Sequence, residues 1–196
     1  SKVTLADIPT PQASDVYPGY RFERWVYAND RGRFFRGIEE MPDEDIQLLA
    51  FWTPVEFKYP VEIYLESADG VFIYESTQYI STLPRKTLNL SYGRPGYYAT
   101  AEDLTVKEAM PNETHKVYFK RADRTVRFTN IDNEGTEIFI EYKAGSPISP
   151  PVVSREGYNF VGWEVTSDRW NSSIPMPETV PYEHVQKLNG YHYSYS

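Results

Sequence analysis

Gly19-Tyr20-Arg21-Phe22-Glu23-Arg24-Trp25 returns later in the chain as Gly157-Tyr158-Asn159-Phe160-Val161-Gly162-Trp163. Both stretches read G-Y-x-F-x-x-W. A Met-Pro pair follows each, at Met41-Pro42 and Met176-Pro177, and a proline-bearing stretch precedes each, Pro9-Thr10-Pro11 and Pro147-Ile148-Ser149-Pro150-Pro151. A phrase repeated at this spacing marks repeated structural units, so the chain reads as a modular array before it reads as an active site. Within the phrase the glycine permits a left-handed backbone that turns the chain into a strand. Tyr20 and Phe22 then fall on one side at period two. Trp25 falls opposite Phe22 on that alternation, unless a bulge or strong twist re-aims it. Gly19, Tyr20, Phe22 and Trp25, with Gly157, Tyr158, Phe160 and Trp163, are therefore the structural motif.

Outward from the phrase, nearly every periodic segment reads as strand. Val61 to Glu66 and Val71 to Tyr74 flank Ala68-Asp69-Gly70 as a hairpin. Thr125 to Thr129 and Glu137 to Tyr142 flank Asp132-Asn133-Glu134-Gly135 as a second one. His115 to Lys120 alternates, and Ile46 to Trp52 reads as a buried or half-buried strand. Helix signals are weak: a turn at Ser14–Tyr17, a capping pattern at Thr100–Asp103, and Pro181–Leu188 before an Asn189-Gly190 stop. The expected fold class is mainly β, α+β at most. Boundaries near Phe57–Pro60 and Arg121–Asp123 give segments 1–58, 59–122 and 123–196.

The 196 residues carry a net charge of −8, which argues against nucleic-acid binding. No apolar run nears the ~20 residues that cross a membrane, so no insertion is expected from this segment. No signal-peptide pattern opens the chain, which reads as a segment of a longer protein. With no cysteine, disulfides, thiolate metal sites and cysteine nucleophiles are excluded. That composition argues against a small secreted animal domain and suits a cytosolic or bacterial surface protein. Aromatics reach 16% of the chain, with 17 Tyr and 4 Trp. Small modules bury a poor fraction of their surface, and large aromatic side chains fill that gap, so they read first as core and second as a binding surface.

The last segment runs Val126-Arg127-Phe128, Gly135, Ile140-Glu141-Tyr142, Pro150-Pro151, then Arg155-Glu156-Gly157-Tyr158-Asn159-Phe160-Val161-Gly162-Trp163. It resembles the internalin B-type repeat, also called the Listeria–Bacteroides repeat. The first segment carries what resembles that family's closing phrase, Met41-Pro42-Asp43-Glu44-Asp45-Ile46-Gln47-Leu48-Leu49-Ala50-Phe51-Trp52. The middle segment is more loosely similar to a mucin-binding-protein repeat, through its first hairpin, Pro95-Gly96-Tyr97-Tyr98 and the closing strand to Lys120. The resemblance implies tandem small β-grasp-like modules in an elongated array, on the outside of a bacterial cell. It implies a stalk or adhesive role, with neighbouring modules and a host surface protein or glycan as partners; the alternatives are a dedicated carbohydrate- or host-protein-binding module and an accessory domain of a larger surface enzyme. Three departures stand out. The first segment lacks the opening hairpin, Arg24 stands where the family has glycine, and a helix-like stretch follows Met176-Pro177 in place of the usual strand.

Catalytic and metal patterns are sparse. Asn130-x-Asp132-x-Glu134-Gly135 with Glu141 has calcium-loop spacing, but its flanks alternate like strands and the residues suit a hairpin turn. The acidic cluster Glu39, Glu40, Asp43, Glu44 and Asp45 reads as a solvated connection rather than a glycosidase pair. His115, His184 and His192 have no zinc-ligand spacing, and no phosphate loop, dinucleotide fingerprint or nucleophile elbow is present. No cofactor or metal is expected, and the chain reads as non-enzymatic. Lys58, Lys116 and Lys120 are candidates for a Lys–Asn isopeptide bond, with no partner that sequence identifies. The candidate binding residues are Tyr79, Tyr97, Tyr98, Trp170, Tyr191, Tyr193 and Tyr195. The last three share one face of a terminal strand, which either closes its own module or offers an edge to a partner.

Overall fold

A computed structural model describes residues 2–12, 17–38, 42–165, 174–182 and 187–194, with backbone alone at 174–175 and 187–194. The fold is mainly β. Its strands are β1 (Tyr20–Tyr27), β2 (Asp30–Phe34), β3 (Leu48–Pro54), β4 (Phe57–Glu66), β5 (Phe72–Thr82), β6 (Lys86–Asn89) and β7 (Tyr97–Tyr98). They continue as β8 (Thr105–Ala109), β9 (His115–Arg121), β10 (Asp123–Thr129), β11 (Ile138–Lys143), β12 (Tyr158–Val165), β13 (Ile174–Pro175) and β14 (Lys187–Ser194). The described helical structure is a 3-10 turn at Leu5–Asp7. The sheets are ordered β2-β1-β3, β5-β4-β9-β7, β11-β10-β14-β12-β13 and β6-β8. In two of them the first strand of a hairpin, β4 or β10, lies beside the closing strand, β9 or β14.

The chain divides into two compact units. One comprises Ser1–Glu62, Thr77–Leu90 and Thr105–His115; the other comprises Ile63–Ser76, Ser91–Leu104 and Lys116–Ser196. Val26, Phe35, Tyr59, Val61, Val106 and Ala109 are buried in the first. Ile63, Val117, Phe119, Val126, Phe128, Ile148 and Val180 are buried in the second. Around Phe128, the half-buried Ile138, Ile140, Tyr142, Trp163, Val165 and Met176 complete one core. Pro60, at the first expected boundary, lies inside β4; Ala122, at the second, lies between β9 and β10.

The two copies of the phrase fold alike. Gly19 and Gly157 both have φ +81°, and the following tyrosine N–H closes a turn onto Tyr17 O and Arg155 O at 3.0 and 3.1 Å. Against its closing strand each then slips register once, between Phe22 and Arg24 in β1 and between Phe160 and Gly162 in β12. That bulge turns the tryptophan back to the phenylalanine's face. The Phe22–Trp25 centroids are 5.5 Å apart at 60°, and those of Phe160–Trp163 are 5.3 Å apart at 61°. Neither Arg24 nor Gly162 has a positive φ, so glycine is not required there and arginine fits, its guanidinium 4.2 Å over the Phe34 ring.

One expectation is corrected. A helix-like stretch was expected in place of the last segment's closing strand, yet Lys187 and Leu188 open β14. Residues 183–186 of that stretch, and most of the turn expected at Ser14–Tyr17, lie outside the described residues. β14 pairs antiparallel with β12 from Leu188 to Ser194 and parallel with β10 at Lys187–Asn189. Ladders on both sides override weak helix propensity. At Thr100–Asp103 the capping pattern makes one turn, in which Thr100 Oγ1 donates to Asp103 Oδ2 at 2.6 Å.

Candidate functional site

In β4 and β9 the alternation sends Ile63, Val117 and Phe119 inward and leaves Tyr64, Lys116 and Tyr118 on the other face. Phe72 and Tyr74 of β5 meet that outer face. Tyr64 stacks on Tyr118 with centroids 5.2 Å apart at 29°, and Tyr74 meets Tyr64 edge-on at 5.8 Å. Phe72 meets Tyr118 edge-on at 5.1 Å, and Lys116 Nζ lies 5.5 Å from the Tyr64 centroid. Three of these rings are half-buried, while Tyr74 is 53% exposed. Next to Tyr74, Glu75 receives Arg94 through both carboxylate oxygens at 2.7–3.1 Å. The Arg94 hydrogen bond holds the Glu75 carboxyl below its ordinary value. Aromatic faces with polar hydroxyls and a fixed ion pair alongside suit stacking against a sugar or a peptide.

A second cluster lies where β9 passes into β10. Arg121 continues the inward row of Val117 and Phe119 and is buried. Its backbone N–H donates to Glu66 Oε2 at 2.7 Å. Its guanidinium donates to Ala144 O at 3.1 Å, Ser146 Oγ at 3.2 Å and Ala68 O at 3.2 Å. The single linking residue, Ala122, donates its N–H to Gly96 O at 2.8 Å and accepts at its carbonyl from Ala144 N at 2.9 Å. Tyr182 lies against this joint, its ring stacked on Tyr97 at 5.5 Å and 19°. A Cβ on Gly96 would stand 2.4 Å from Tyr182 Cδ1, and one on Gly145 would stand 2.1 Å from its hydroxyl oxygen. Burial, then the Tyr182 hydrogen bond, raises the Tyr97 phenol's pKa.

Of the sequence-derived binding residues, those described lie on β5, β7 and β14. Tyr79 is 65% exposed on β5, and Tyr98 is exposed on β7 opposite Lys120. Tyr97 is half-buried against Tyr182. Tyr191 and Tyr193 stand opposite Gly162 and Asn159 in the β12–β14 ladder. Trp170 and Tyr195 lie outside the described residues. Sequence reasoning missed Arg121, Tyr182 and the Tyr64–Tyr118 face. Arg121 had a readable signal, its place in the inward row with Val117 and Phe119. Tyr182 had none, since its partners are distant glycines.

The calcium-like spacing is a turn. Asp132 Oδ1 accepts the N–H groups of Glu134 at 2.9 Å and Thr136 at 3.0 Å. The Thr136 hydroxyl, ahead of those N–H groups, lowers the Asp132 pKa. Among the described residues no group of three His, Cys, Asp or Glu side chains is placed to hold a metal ion. No described helix is long and apolar enough to cross a membrane. The chain matches no protein-family model, and no curated protein matches it.

Proposed function

We propose that the chain is a non-catalytic segment of a bacterial cell-surface, adhesin-type protein, serving outside the cell as a stalk with adhesive capacity. Its modules are 1–58, 59–122 and 123–196, the outer two similar to internalin B-type repeats and the middle one to a mucin-binding-protein repeat. The β-grasp-like reading draws support from the five-stranded sheet, whose first and last strands, β10 and β14, run side by side and parallel.

The observation that carries the stalk reading is the joint at Ala122. A spacer sets distance only where its connections resist bending. Here one residue connects two sheets, both of its backbone groups are bonded, and a buried arginine ties the flanking turns together. Residual dipolar couplings test this: amides of β9 and β10 should fit a single alignment tensor. Two distinct tensors would defeat the stalk reading.

A second reading, a dedicated binder of glycan or host protein, is favoured by the Tyr64–Phe72–Tyr74–Tyr118 face, since clustered and partly exposed aromatics mark interaction sites. A glycan-array and extracellular-matrix screen, repeated with Tyr74→Ala and Tyr118→Ala, separates the two. A specific hit lost in both variants makes this a recognition module. A clean negative, with folding verified by near-UV circular dichroism, leaves the spacer reading.

A further inference from the structure

We propose that the outer edge of β3 is a docking site for a β-hairpin of the β10–β11 type, supplied by polypeptide outside these 196 residues, its first strand running parallel to β3. The inference stands on geometry and does not depend on the surface-protein reading.

The third segment contains the precedent. β12 and β14 pair from Tyr158↔Ser194 to Val165↔Leu188, and β1 and β3 pair in the same register from Tyr20↔Pro54 to Tyr27↔Leu48. β3 therefore corresponds to β14, and β2-β1-β3 corresponds to β13-β12-β14. Beyond β14 lies β10, which pairs parallel through Arg127↔Lys187, Phe128↔Leu188 and Thr129↔Asn189. The matching positions on the first copy are Gln47, Leu48 and Leu49, and among the described residues no strand lies there. Gln47 O accepts from Ala28 N, so the alternation aims the backbone groups of Gln47 and Leu49 at β1 and those of Leu48 and Ala50 outward.

Two further observations agree. β3 reads Leu-Leu-Ala-Phe-Trp-Thr-Pro with no charge, whereas every other described edge strand longer than two residues (β2, β5, β6, β8 and β11) carries at least one. Charges on edge strands block unwanted pairing, and β3 lacks that protection. A groove of about 570 Å³ adjoins β3, where Leu49, Ala50, Phe51 and Trp52 line it together with Pro11, Gln12 and Tyr17 of the chain's own N-terminal stretch and with Val26 and Arg31 of the same sheet. The occupant's chemistry follows from β10. Phe128 is fully buried with its ring edge-on to Trp163 at 5.0 Å. Trp25, the counterpart of Trp163, has Phe22 but no such ring from a neighbouring strand among the described residues. The docking strand therefore carries apolar side chains at alternate positions, with an aromatic one opposite Leu48.

The probe is a synthetic peptide of Asp123–Lys143, added to the isotope-labelled 196-residue chain and followed by amide NMR. Shifts and slowed hydrogen exchange are expected at Leu48 and Ala50. A Phe128→Ala peptide should bind about tenfold more weakly. Ala50→Pro removes an outward N–H without touching the β1–β3 ladder, and should abolish binding while the Val26 and Ala28 amides stay protected. Undisturbed Leu48 and Ala50 amides at millimolar peptide would overturn the proposal, as would undiminished binding to folded Ala50→Pro. Shifts confined to residues 123–165 would mean exchange with β10 and overturn it too. So would concentration-dependent protection of Leu48 and Ala50 without peptide, which would make a second copy the occupant.

Discussion

Gly145→Ala is expected to destabilise the second unit by about 3 kcal/mol, more than backbone strain alone gives. Gly145 has φ +79°, a conformation that costs an L-residue about 1 kcal/mol. The new Cβ would stand 2.1 Å from Tyr182 Oη and 2.6 Å from Cζ. The ring must withdraw by about 1.5 Å to restore van der Waals contact. It cannot simply swing away, because the root of the same side chain lies against Gly96, where a Cβ would be 2.7 Å from Tyr182 Cβ and 2.8 Å from its Cα. Withdrawal therefore breaks the stack on Tyr97, worth about 1 kcal/mol, and opens packing of similar value. Gly70 and Gly135 are the controls: both have positive φ, and nothing lies within 4 Å of their Cβ positions. Their alanine variants should cost about 1 kcal/mol each. In urea unfolding, Gly145→Ala made in a Tyr182→Ala background should cost about 1 kcal/mol, a coupling of about 2 kcal/mol. Equal losses for Gly145→Ala and Gly70→Ala, or no coupling to Tyr182, would refute the seating of Tyr182 on this glycine.

Arg121→Met should destabilise by about 2–4 kcal/mol, because it leaves Ala144 O, Ala68 O and Ser146 Oγ without their buried donor. Arg121→Lys should recover little, since one ammonium cannot reach all three, and a full recovery in urea unfolding would contradict the fork geometry. Glu75→Gln should cost about 0.5–1 kcal/mol at neutral pH, the pair being partly solvated. The folded Glu75 pKa lies below its ordinary value, so this contribution is complete above the unfolded carboxylate pKa and disappears as pH falls through the folded one. Wild type and Glu75→Gln should therefore converge in urea midpoint under strong acid, and a constant gap would exclude this ion pair as its source.

Much of the fold was legible because the signals were local. Leu48, Ala50 and Trp52 alternate in the sequence and are half-buried, while Leu49 and Phe51 between them are exposed. The glycine turn and the need to re-aim Trp25 followed from period two alone, and the bulge at Glu23 supplies the re-aiming. The hairpins at Gly70 and Gly135 are where apolar alternation and turn residues put them. Long-range features were not legible. The Tyr64–Tyr118 stack depends on which strand lies beside β4, and Tyr182 on glycines distant in sequence. Asn189-Gly190 has the composition of a stop signal, yet both residues lie inside β14 because the sheet supplies partners there.

The two copies show which features of the phrase carry the structure. Tyr158 lies 138 residues after Tyr20, but Leu188 lies 140 after Leu48, so the connection between the paired strands is two residues longer in the second copy. Every strand partner is nonetheless the same, including those on either side of the bulge. A one-residue slip would turn the closing strand's side chains to the wrong face, so the ladder fixes register and the connection absorbs the insertion. Residue identity on the closing strand is not fixed: the register partner of Phe22 is Trp52, whereas that of Phe160 is His192. The glycine before the tryptophan is not fixed either, as Arg24 demonstrates with an ordinary backbone. What the two share is the left-handed glycine, the bulge and the Phe–Trp pair. They differ in the ring that meets the tryptophan from a neighbouring strand, Phe128 in the second copy and none among the described residues in the first. Among the described residues the strand pair is therefore flanked by a further strand beside its closing strand in one segment and not in the other, where Leu49 and Phe51 are exposed.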